Sequence, residues 1–408
     1  MKTADRSDGR TPFAVIVAAS LIGITTGALI VALEHLIDEV LRALAEAPVW
    51  APAAAVLGGM LATALVIRLA AGGGTASTEV YVEQFHRATP DLNAAHAPGR
   101  LGGAFTTLAG GAPLGMEGPA VYTGSVVAAL VHRYWRRLDR ASVHALLVAG
   151  AAAGIAAVFK APAAGAIFAM EVPFRGRLAG ERVLPALFGA GAGYLTMAAV
   201  EGVKPDLEVP VIELTFGRSM WSLVLGLAIG VAAIGVIWLV ASAERLSERA
   251  SPVVRAGLAG LALAGLYAIS RGLTGESLAL TSGNAVIDWA IQPGHAIWLL
   301  VAVFAIRALG PAITIAGGGV GGLFIPLMAA GAVIGRIFAD AVDPQETTLY
   351  VTVGAACMLG GGYAAPLTGV VFVAEYTGQA SVIVPALVAM TMTRLVVRDR
   401  SVSPNQIS

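Results

Sequence analysis

Long hydrophobic runs separated by short polar stretches dominate this chain. Residues 13–33, 51–67 and 221–240 are largely apolar, and about 20 such residues suffice to cross a bilayer as a helix. Other runs, such as 142–159 and 296–306, are shorter or interrupted by glycine and proline. Interrupted segments are tolerated at membrane depth only where protein covers them. The pattern therefore predicts an all-α, polytopic membrane protein in which some helices are short, tilted or discontinuous.

The composition supports a membrane location. Of the 408 residues, 57% are hydrophobic and 13% are charged, which is roughly half the charged fraction of soluble domains. The formal net charge is zero, so no general attraction to nucleic acid is expected. A single cysteine, Cys357, rules out an internal disulfide or a multi-cysteine metal site. We predict no cofactor, no metal and no nucleic-acid partner.

Two glycine-rich runs about two hundred residues apart carry the same pattern. Residues 110–119 read Gly-Gly-Ala-Pro-Leu-Gly-Met-Glu-Gly-Pro, and residues 317–326 read Gly-Gly-Gly-Val-Gly-Gly-Leu-Phe-Ile-Pro. Matched interrupted segments in two halves of a membrane protein point to a transport site. We interpret residues 1–408 as one membrane domain built from two copies, at about 50–200 and 219–400. Further matched residues are Gly124, Gly150, Pro162, Gly165, Phe168 and Glu171 in the first copy, and Gly331, Gly354, Pro366, Gly369, Phe372 and Glu375 in the second.

The two copies are predicted to form an inverted repeat. If each copy crosses the membrane an odd number of times, the copies face opposite ways and their glycine loops meet at the midplane. We interpret residues 13–33 as a retained first helix, because the run is long for a signal peptide and lacks a clear cleavage site. Clustered basic residues predict cytoplasmic loops and termini. These residues are Lys2, Arg6, Arg10, Arg133, Arg136, Arg137, Arg140, Arg175, Arg177, Arg245, Arg249, Arg394, Arg398 and Arg400.

Each glycine-rich run ends in a proline that precedes a helix-forming segment, at Pro119 and Pro326. Proline is favoured in the first turn of a helix, so the runs are expected to present helix N-termini with unpaired N–H groups. Two such termini meeting in an apolar interior would bind an anion without a buried cation. The alternative is that the glycines only permit close helix crossing.

Four ionisable positions are candidates for function. Glu117 lies inside the first run, and an ionisable group at membrane depth is a functional hypothesis by default. Its carboxylate is predicted to block the anion site when ionised and to leave it when protonated; the alternative is a carboxylate on the loop surface that caps a helix. Lys160 would either attract anions or extend to the interface. Glu171 and Glu375 would either pair with arginines or serve a proton pathway.

These motifs resemble the CLC family of chloride channels and proton–anion antiporters. Residues 115–119 are similar to its Gly-Arg/Lys-Glu-Gly-Pro motif, and residues 322–326 to Gly-x-Phe-x-Pro. The resemblance implies a homodimer of inverted-repeat subunits, each with its own anion pathway. It also implies that Glu117 is the gating glutamate. The implied anion-binding residues are Gly115, Gly118, Gly322, Leu323, Phe324 and Ile325, with the backbone N–H groups of Phe324 and Ile325 lining the site.

The chain departs from the family pattern at four places. Gly74, Thr75 and Ala76 are the best match to the family's Gly-Ser-Gly segment, so Thr75 would replace the anion-coordinating serine. Met116 replaces the basic residue before the gating glutamate. Ser403 stands where the family has a tyrosine at the inner end of the anion site. Val172, beside Glu171, stands where proton-coupled members carry an inner glutamate; Glu171 and Val172 mark a possible proton pathway.

These departures favour channel-like conduction. A smaller residue at Ser403 widens the inner pore, and Val172 carries no proton. We expect chloride or a similar small anion to pass a glutamate-gated pathway with weak or no proton coupling; the alternative is proton-coupled anion exchange. The resemblance implies that fluoride-exporting relatives carry a methionine near the position of Thr75. No methionine lies there in this chain, so fluoride is not favoured. A scaffold or an intramembrane enzyme is a further alternative, but an enzyme would need a nucleophile–base pair and no histidine has a plausible partner. We expect a non-enzymatic protein in a prokaryotic inner membrane.

Overall fold

The computed structural model describes residues 13–70, 74–135, 138, 142–205, 207, 209, 212, 214–247 and 251–407. Part of the basic pattern lies outside these residues, so the cytoplasmic location of both termini stays a prediction. The basic residues outside the described part are Lys2, Arg6, Arg10, Arg136, Arg137, Arg140 and Arg249.

The described residues form sixteen α-helices and no extended strand, which confirms the all-α prediction. Nine helical stretches of this part are long and apolar enough to cross a membrane. The first eight helices are α1 (Phe13–Glu46), α2 (Ala51–Leu69), α3 (Thr78–His86), α4 (Ala97–Ala109), α5 (Glu117–Tyr134), α6 (Ser142–Phe159), α7 (Pro162–Glu171) and α8 (Val183–Glu201). The second eight are α9 (Phe216–Ser247), α10 (Pro252–Thr274), α11 (Asn284–Ile291), α12 (Ile297–Ala316), α13 (Phe324–Val342), α14 (Thr347–Gly362), α15 (Pro366–Thr377) and α16 (Ile383–Val397).

The two sets of eight helices correspond in order. The 34 residues of α1 match the 32 of α9, and the 9 residues of α3 match the 8 of α11. Gly111 and Gly318, at equivalent places in the glycine-rich runs, have φ angles of 84° and 83°, a left-handed conformation that glycine adopts without strain. We propose that the first copy begins at α1, well before residue 50, because α1 has a counterpart in α9.

Close packing repeats in both copies. In the first copy α5 crosses α6 at Gly124 and Gly150, and in the second α13 crosses α14 at Gly331 and Gly354. A methyl group added to any of these four glycines would overlap the carbonyl oxygen of its partner glycine. The backbones approach this closely because no side chain intervenes. The glycines matched in the sequence therefore form two equivalent helix crossings.

Equivalent arginines approach equivalent glycine turns. Arg307 of α12 is 1% exposed and donates to the carbonyl oxygens of the preceding loop, including that of Thr281 at 3.2 Å. Its guanidinium also lies against Gly283, just before α11. In the first copy, the Arg100 guanidinium of α4 lies against Gly74, before α3. These arginines support the loops that lead into the two short helices.

The centre of the molecule is formed by α5, α6, α13 and α14, and the residues of α6 and α14 are almost all buried. The peripheral helices expose large apolar side chains, as expected for surfaces that face lipid. Examples are Leu21, Ile24 and Leu29 on α1, Leu195 on α8, Trp238 on α9, and Leu258 and Leu261 on α10. The molecule is an integral membrane protein with a small-residue core.

Candidate functional site

The two glycine-rich runs meet at the centre of the molecule. The N–H of Gly115 donates to the carbonyl oxygen of Gly322 at 2.9 Å, and the N–H of Gly322 donates back at 2.8 Å. This reciprocal pair is an isolated antiparallel bridge between the copies. Two residues after each bridging glycine a helix begins, α5 at Glu117 and α13 at Phe324. Two helix N-termini, one from each copy, therefore lie side by side.

The Glu117 side chain fills the space between these termini and is 0% exposed. Its Oε1 accepts a hydrogen bond from the backbone N–H of Phe324. Its Oε2 has no hydrogen-bond partner among the described residues. The carboxyl group lies against Gly115 and Gly322, since a methyl group at either position would overlap it. Glu117 is thus a buried carboxyl group that caps the helix of the opposite copy, rather than a carboxylate on the loop surface.

The charge of Glu117 has little compensation. No described lysine, arginine or histidine forms an ion pair with it. The N–H of Phe324 and the dipole of α13 stabilise the ionised form, but burial away from water makes that form costly. A bound anion would require the same N–H groups. The carboxylate would therefore compete with an anion for this position.

Two cavities lie beside this position, one lined by Gly115 and the other by Gly322. The first, which we call the α1 cavity, has a volume of about 320 Å³ and is lined by Glu34 and Asp38 of α1 together with Gly115, Met116 and Ile325. The second, the α3 cavity, has a volume of about 350 Å³. Its lining includes Gly74, Thr75, Glu79, Glu244, Arg255, Gly322, Leu323, Tyr363 and Val402. The Gly115–Gly322 bridge and Glu117 lie where the two cavities approach each other.

The loosely matched segment 74–76 lies next to both runs. A methyl group on Gly118 would approach backbone atoms of Gly321 at 3.2 Å and the carbonyl oxygen of Ala76 at 3.4 Å. Thr75 lines the α3 cavity, and its hydroxyl donates to that of Ser77 at 3.3 Å. The structure therefore brings all three predicted anion-binding segments together.

Ser403 does not line the α3 cavity; its neighbour Val402 does. Ser403 is 0% exposed and lies beside the carboxyl group of Glu79. The tyrosine at the cavity comes instead from the end of α14. The hydroxyl of Tyr363 accepts a hydrogen bond from the N–H of Leu323 at 3.3 Å, and its ring packs against Phe324 with centroids 5.7 Å apart.

Sequence reasoning missed Tyr363, although the repeat contained a signal for it. Tyr363 and Phe159 each stand three residues before the matched prolines Pro366 and Pro162. Phe159 lines the α1 cavity and Tyr363 the α3 cavity. Equivalent aromatic residues thus line different cavities, and only Tyr363 carries a hydroxyl group.

Glu171 and Glu375 form a reciprocal pair of helix caps. The carboxylate of Glu171, at the end of α7, accepts hydrogen bonds from the N–H groups of Leu367 at 3.1 Å and Thr368 at 2.8 Å. Glu375, at the end of α15, accepts from the N–H groups of Ala163 at 3.0 Å and Ala164 at 2.7 Å. Each carboxylate stabilises the positive N-terminus of the other copy's helix. The sequence predicted either pairs with arginines or a proton pathway for these two residues, and the capping role was not predicted.

Val172 and Lys160 occupy defined environments. Val172 is 0% exposed, lines neither cavity, and its carbonyl oxygen accepts from the Gln406 side chain at 2.8 Å. The Nζ of Lys160 lies 3.3 Å from a carboxylate oxygen of Glu201, and its side chain is 15% exposed. Glu201 lines the α1 cavity. Lys160 therefore lies near that cavity as half of an ion pair.

The fold and the paired loops define an inverted-repeat membrane transport protein, and comparison with known proteins identifies its family. The family model described as "Voltage gated chloride channel" matches residues 58–398. The chain belongs to this family, the CLC proteins, whose members transport anions.

Relatives in sequence carry more specific names. An "H(+)/Cl(-) exchange transporter ClcA" from Citrobacter koseri is 29% identical over 408 residues, covering 93% of this chain and 84% of that protein. A protein of the same name from Yersinia pestis bv. Antiqua is 29% identical over 412 residues, covering 93% of this chain and 83% of that protein. These names do not support the channel-like expectation, and they fit the proton-coupled alternative better.

Solved structures share the fold. A slow cyanobacterial Cl-/H+ antiporter superimposes with a TM-score of 0.83 and 22% identity, covering 95% of both chains. A CLC-type fluoride/proton antiporter gives a TM-score of 0.83 and 21% identity, covering 98% of this chain and 100% of that one. At these identities the likeness concerns the fold alone.

Proposed function

We propose that this protein exchanges chloride, or a similar small anion, for protons across a membrane, with Glu117 as both gate and proton acceptor. The proposal rests on one observation. The Glu117 carboxyl group accepts the hydrogen bond from the N–H of Phe324 at the point where the two cavities approach each other. The exchange names of the sequence relatives support coupling to protons.

The gate works by competition for helix N-termini. Ionised Glu117 accepts a charge-assisted hydrogen bond from Phe324, and such bonds are roughly twice as strong as neutral ones. Protonation removes the charge, so the side chain leaves and an anion takes its place beside the dipole of α13. Deprotonation returns the carboxylate and expels the anion. One proton and one anion therefore use the same position in alternation.

The backbone around this position supplies the proposed anion site. Gly115, Gly118, Gly322, Leu323, Phe324 and Ile325 present the two helix N-termini, and Gly74, Thr75 and Ala76 complete the site on the α3 cavity side. We assign to Tyr363 the hydroxyl at the inner end of this site, because it lines the α3 cavity beside Leu323. Ser403 supports that end from behind the cavity wall.

Orientation and assembly follow from the basic loops and the family resemblance. The α3 cavity is lined by Glu244 and Val402, which are near in sequence to the basic residues Arg245 and Arg400. By the positive-inside tendency this cavity opens to the cytoplasm and the α1 cavity opens outward. We propose a homodimer in a prokaryotic inner membrane, with one pathway in each subunit.

The test is coupled flux in liposomes. Purified protein is reconstituted with a chloride gradient at equal pH, and chloride and pH are recorded together. Exchange predicts that chloride flow drives protons across the membrane and so creates a pH difference where none existed. Chloride flow with no proton movement would favour channel-like conduction, and no flow of either ion beyond protein-free liposomes would contradict anion transport.

A further inference from the structure

The α3 cavity contains a carboxyl group that the gate mechanism does not use. Glu79 lies in the first turn of α3 and lines this cavity. The C-terminal segment packs over it: Ser403 lies beside its carboxyl group, and the N–H of Asn405 donates to its Oε2 at 3.4 Å. Glu79 is therefore held in place at the cavity wall.

Tyr363 connects Glu79 with the gate. Tyr363 lines the same cavity as Glu79, and Leu323, whose N–H donates to the Tyr363 hydroxyl, lines it too. Two consecutive backbone N–H groups bind Tyr363 and Glu117. The N–H of Leu323 donates to the hydroxyl of Tyr363, and the N–H of Phe324 donates to the carboxyl group of Glu117. The series from Glu79 through Tyr363 to Glu117 thus runs from the cavity wall to the gate.

Other charged groups face Glu79 across the cavity. Glu244 of α9 and Arg255 of α10 line the same space, and the negative charge of Glu244 opposes ionisation of Glu79. Glu79 does not lie on a membrane-spanning helix, because α3 is not among the helical stretches long enough to span the membrane. Burial raises the pKa of Glu79 to about 7, although contacts with Ser403 and Asn405 act in the opposite direction. A group with this pKa exchanges protons readily near neutral pH.

We propose that Glu79 is the inner proton acceptor of this protein, serving where the family resemblance leaves only Val172. This inference rests on the proposed exchange function. A cavity of about 350 Å³ is large enough for several water molecules. A proton leaves the carboxyl group of Glu79, crosses cavity water and the hydroxyl of Tyr363, and ends on the Glu117 carboxylate. Glu79, now ionised, regains a proton from the cavity water.

The test compares two neutral substitutions in one cavity. We expect Glu79→Gln to lower proton transport at least about tenfold, since a positioned proton carrier accounts for a rate factor of roughly 100 or more. Chloride flux should persist. Glu244→Gln removes the same negative charge from the same cavity and should keep the proton-to-chloride ratio of the native protein. Equal loss of coupling in both variants would overturn the assignment, because cavity charge would then be the cause.

A second variant separates proton transfer from structural damage. Glu79→Asp keeps a carboxyl group and should retain measurable coupling, whereas equal loss of chloride and proton flux in Glu79→Gln and Glu79→Asp would overturn the proposal. If the native protein couples the two fluxes and Glu79→Gln still does, only the role of Glu79 fails. If the native protein moves chloride without protons, the exchange function itself fails and Glu79 has no proton to carry.

Discussion

Glu117 and Phe324 occupy equivalent positions in the two glycine-rich runs, yet they contribute opposite halves of one interaction. Both are the first residues of their helices. Glu117 contributes a side-chain oxygen, and Phe324 contributes its backbone N–H to that oxygen. The glycine and proline pattern that the copies share produces the same backbone twice. In the proposed mechanism, the residue that differs decides which copy carries the gate and which copy contributes the N–H group of the anion site.

The same division recurs at the aromatic pair. Phe159 and Tyr363 approach the gate from opposite cavities, and only Tyr363 presents a hydroxyl group. By contrast, Glu171 and Glu375 are identical in type and cap each other's helices in the same way. We therefore expect positions that keep the repeat symmetric to be structural, and positions that break the symmetry to give the pathway its direction.

We expect the largest effect when the charge that distinguishes the two glycine-rich runs is removed. The glutamine side chain in Glu117→Gln has nearly the same shape as glutamate, but it neither ionises nor accepts a proton. We expect proton transport to fall roughly 100-fold or more, anion flux at neutral pH to rise, and its pH dependence to weaken. Paired chloride and pH recordings in liposomes measure all three.

The control for this change is Gly265→Ala, whose added methyl group meets no atom within 4 Å and which should keep proton coupling. Unchanged flux and pH response in Glu117→Gln would contradict the gate assignment.

A smaller effect is expected when a substitution changes the packing around Glu117 and leaves its charge in place. Gly322→Ala places a methyl group against the Glu117 carboxyl group; overpacking costs about 1–3 kcal/mol, and the flexible side chain relieves it by moving out. Anion flux should rise at neutral pH while the protein stays folded. Gly265→Ala has no atom within 4 Å of the added group and should leave flux as it is. A gate that stays closed in Gly322→Ala would argue that Glu117 lies elsewhere when ionised.

The symmetric caps give a matched pair of variants. We expect Glu171→Gln and Glu375→Gln each to destabilise the protein by about 1 kcal/mol, the usual worth of an N-terminal cap, as measured by thermal unfolding in detergent. The proton-to-chloride ratio should be the same in both. A ratio that changes only in Glu171→Gln would restore Glu171 to the proton pathway.

The smallest expected effect on anion binding concerns the hydroxyl group that serves the inner end of the anion site. Tyr363→Phe should weaken chloride binding by tenfold or less, because one hydrogen bond contributes about 1 kcal/mol. Ser403→Ala should leave chloride affinity unchanged. Calorimetric titration with chloride measures both, and the reverse pattern would return the role to Ser403.

The membrane class, the repeat and the principal candidate could be predicted from the chain because each rests on short sequence patterns, which can be compared without knowing the fold. Hydrophobic runs fix the helices, and the glycine-rich runs with their prolines fix where helices begin. Glu117 stood out because an ionisable residue in such a run is rare. The proposed start of the first copy at α1 is harder to predict, since α1 and α9 share length and hydrophobicity rather than a motif.

The side-chain partners could not be predicted, because they join residues far apart in sequence. Ser403 and Tyr363 are 40 positions apart, and only the folded chain reveals that Tyr363 reaches the cavity while Ser403 lies behind it. The exchange of caps between Glu171 and Glu375 likewise required the two copies to be placed face to face.

The sequence by itself determined that this protein is a two-copy helical membrane transporter with Glu117 at a helix start, because composition and periodicity act within single segments. Only the tertiary structure decided that Glu117 meets the N–H of Phe324, and that Glu79 shares a cavity with Tyr363. The physical reason is that unpaired N–H groups and buried carboxyl groups must find partners wherever packing offers them. Packing across an inverted repeat brings those partners from the opposite half of the chain.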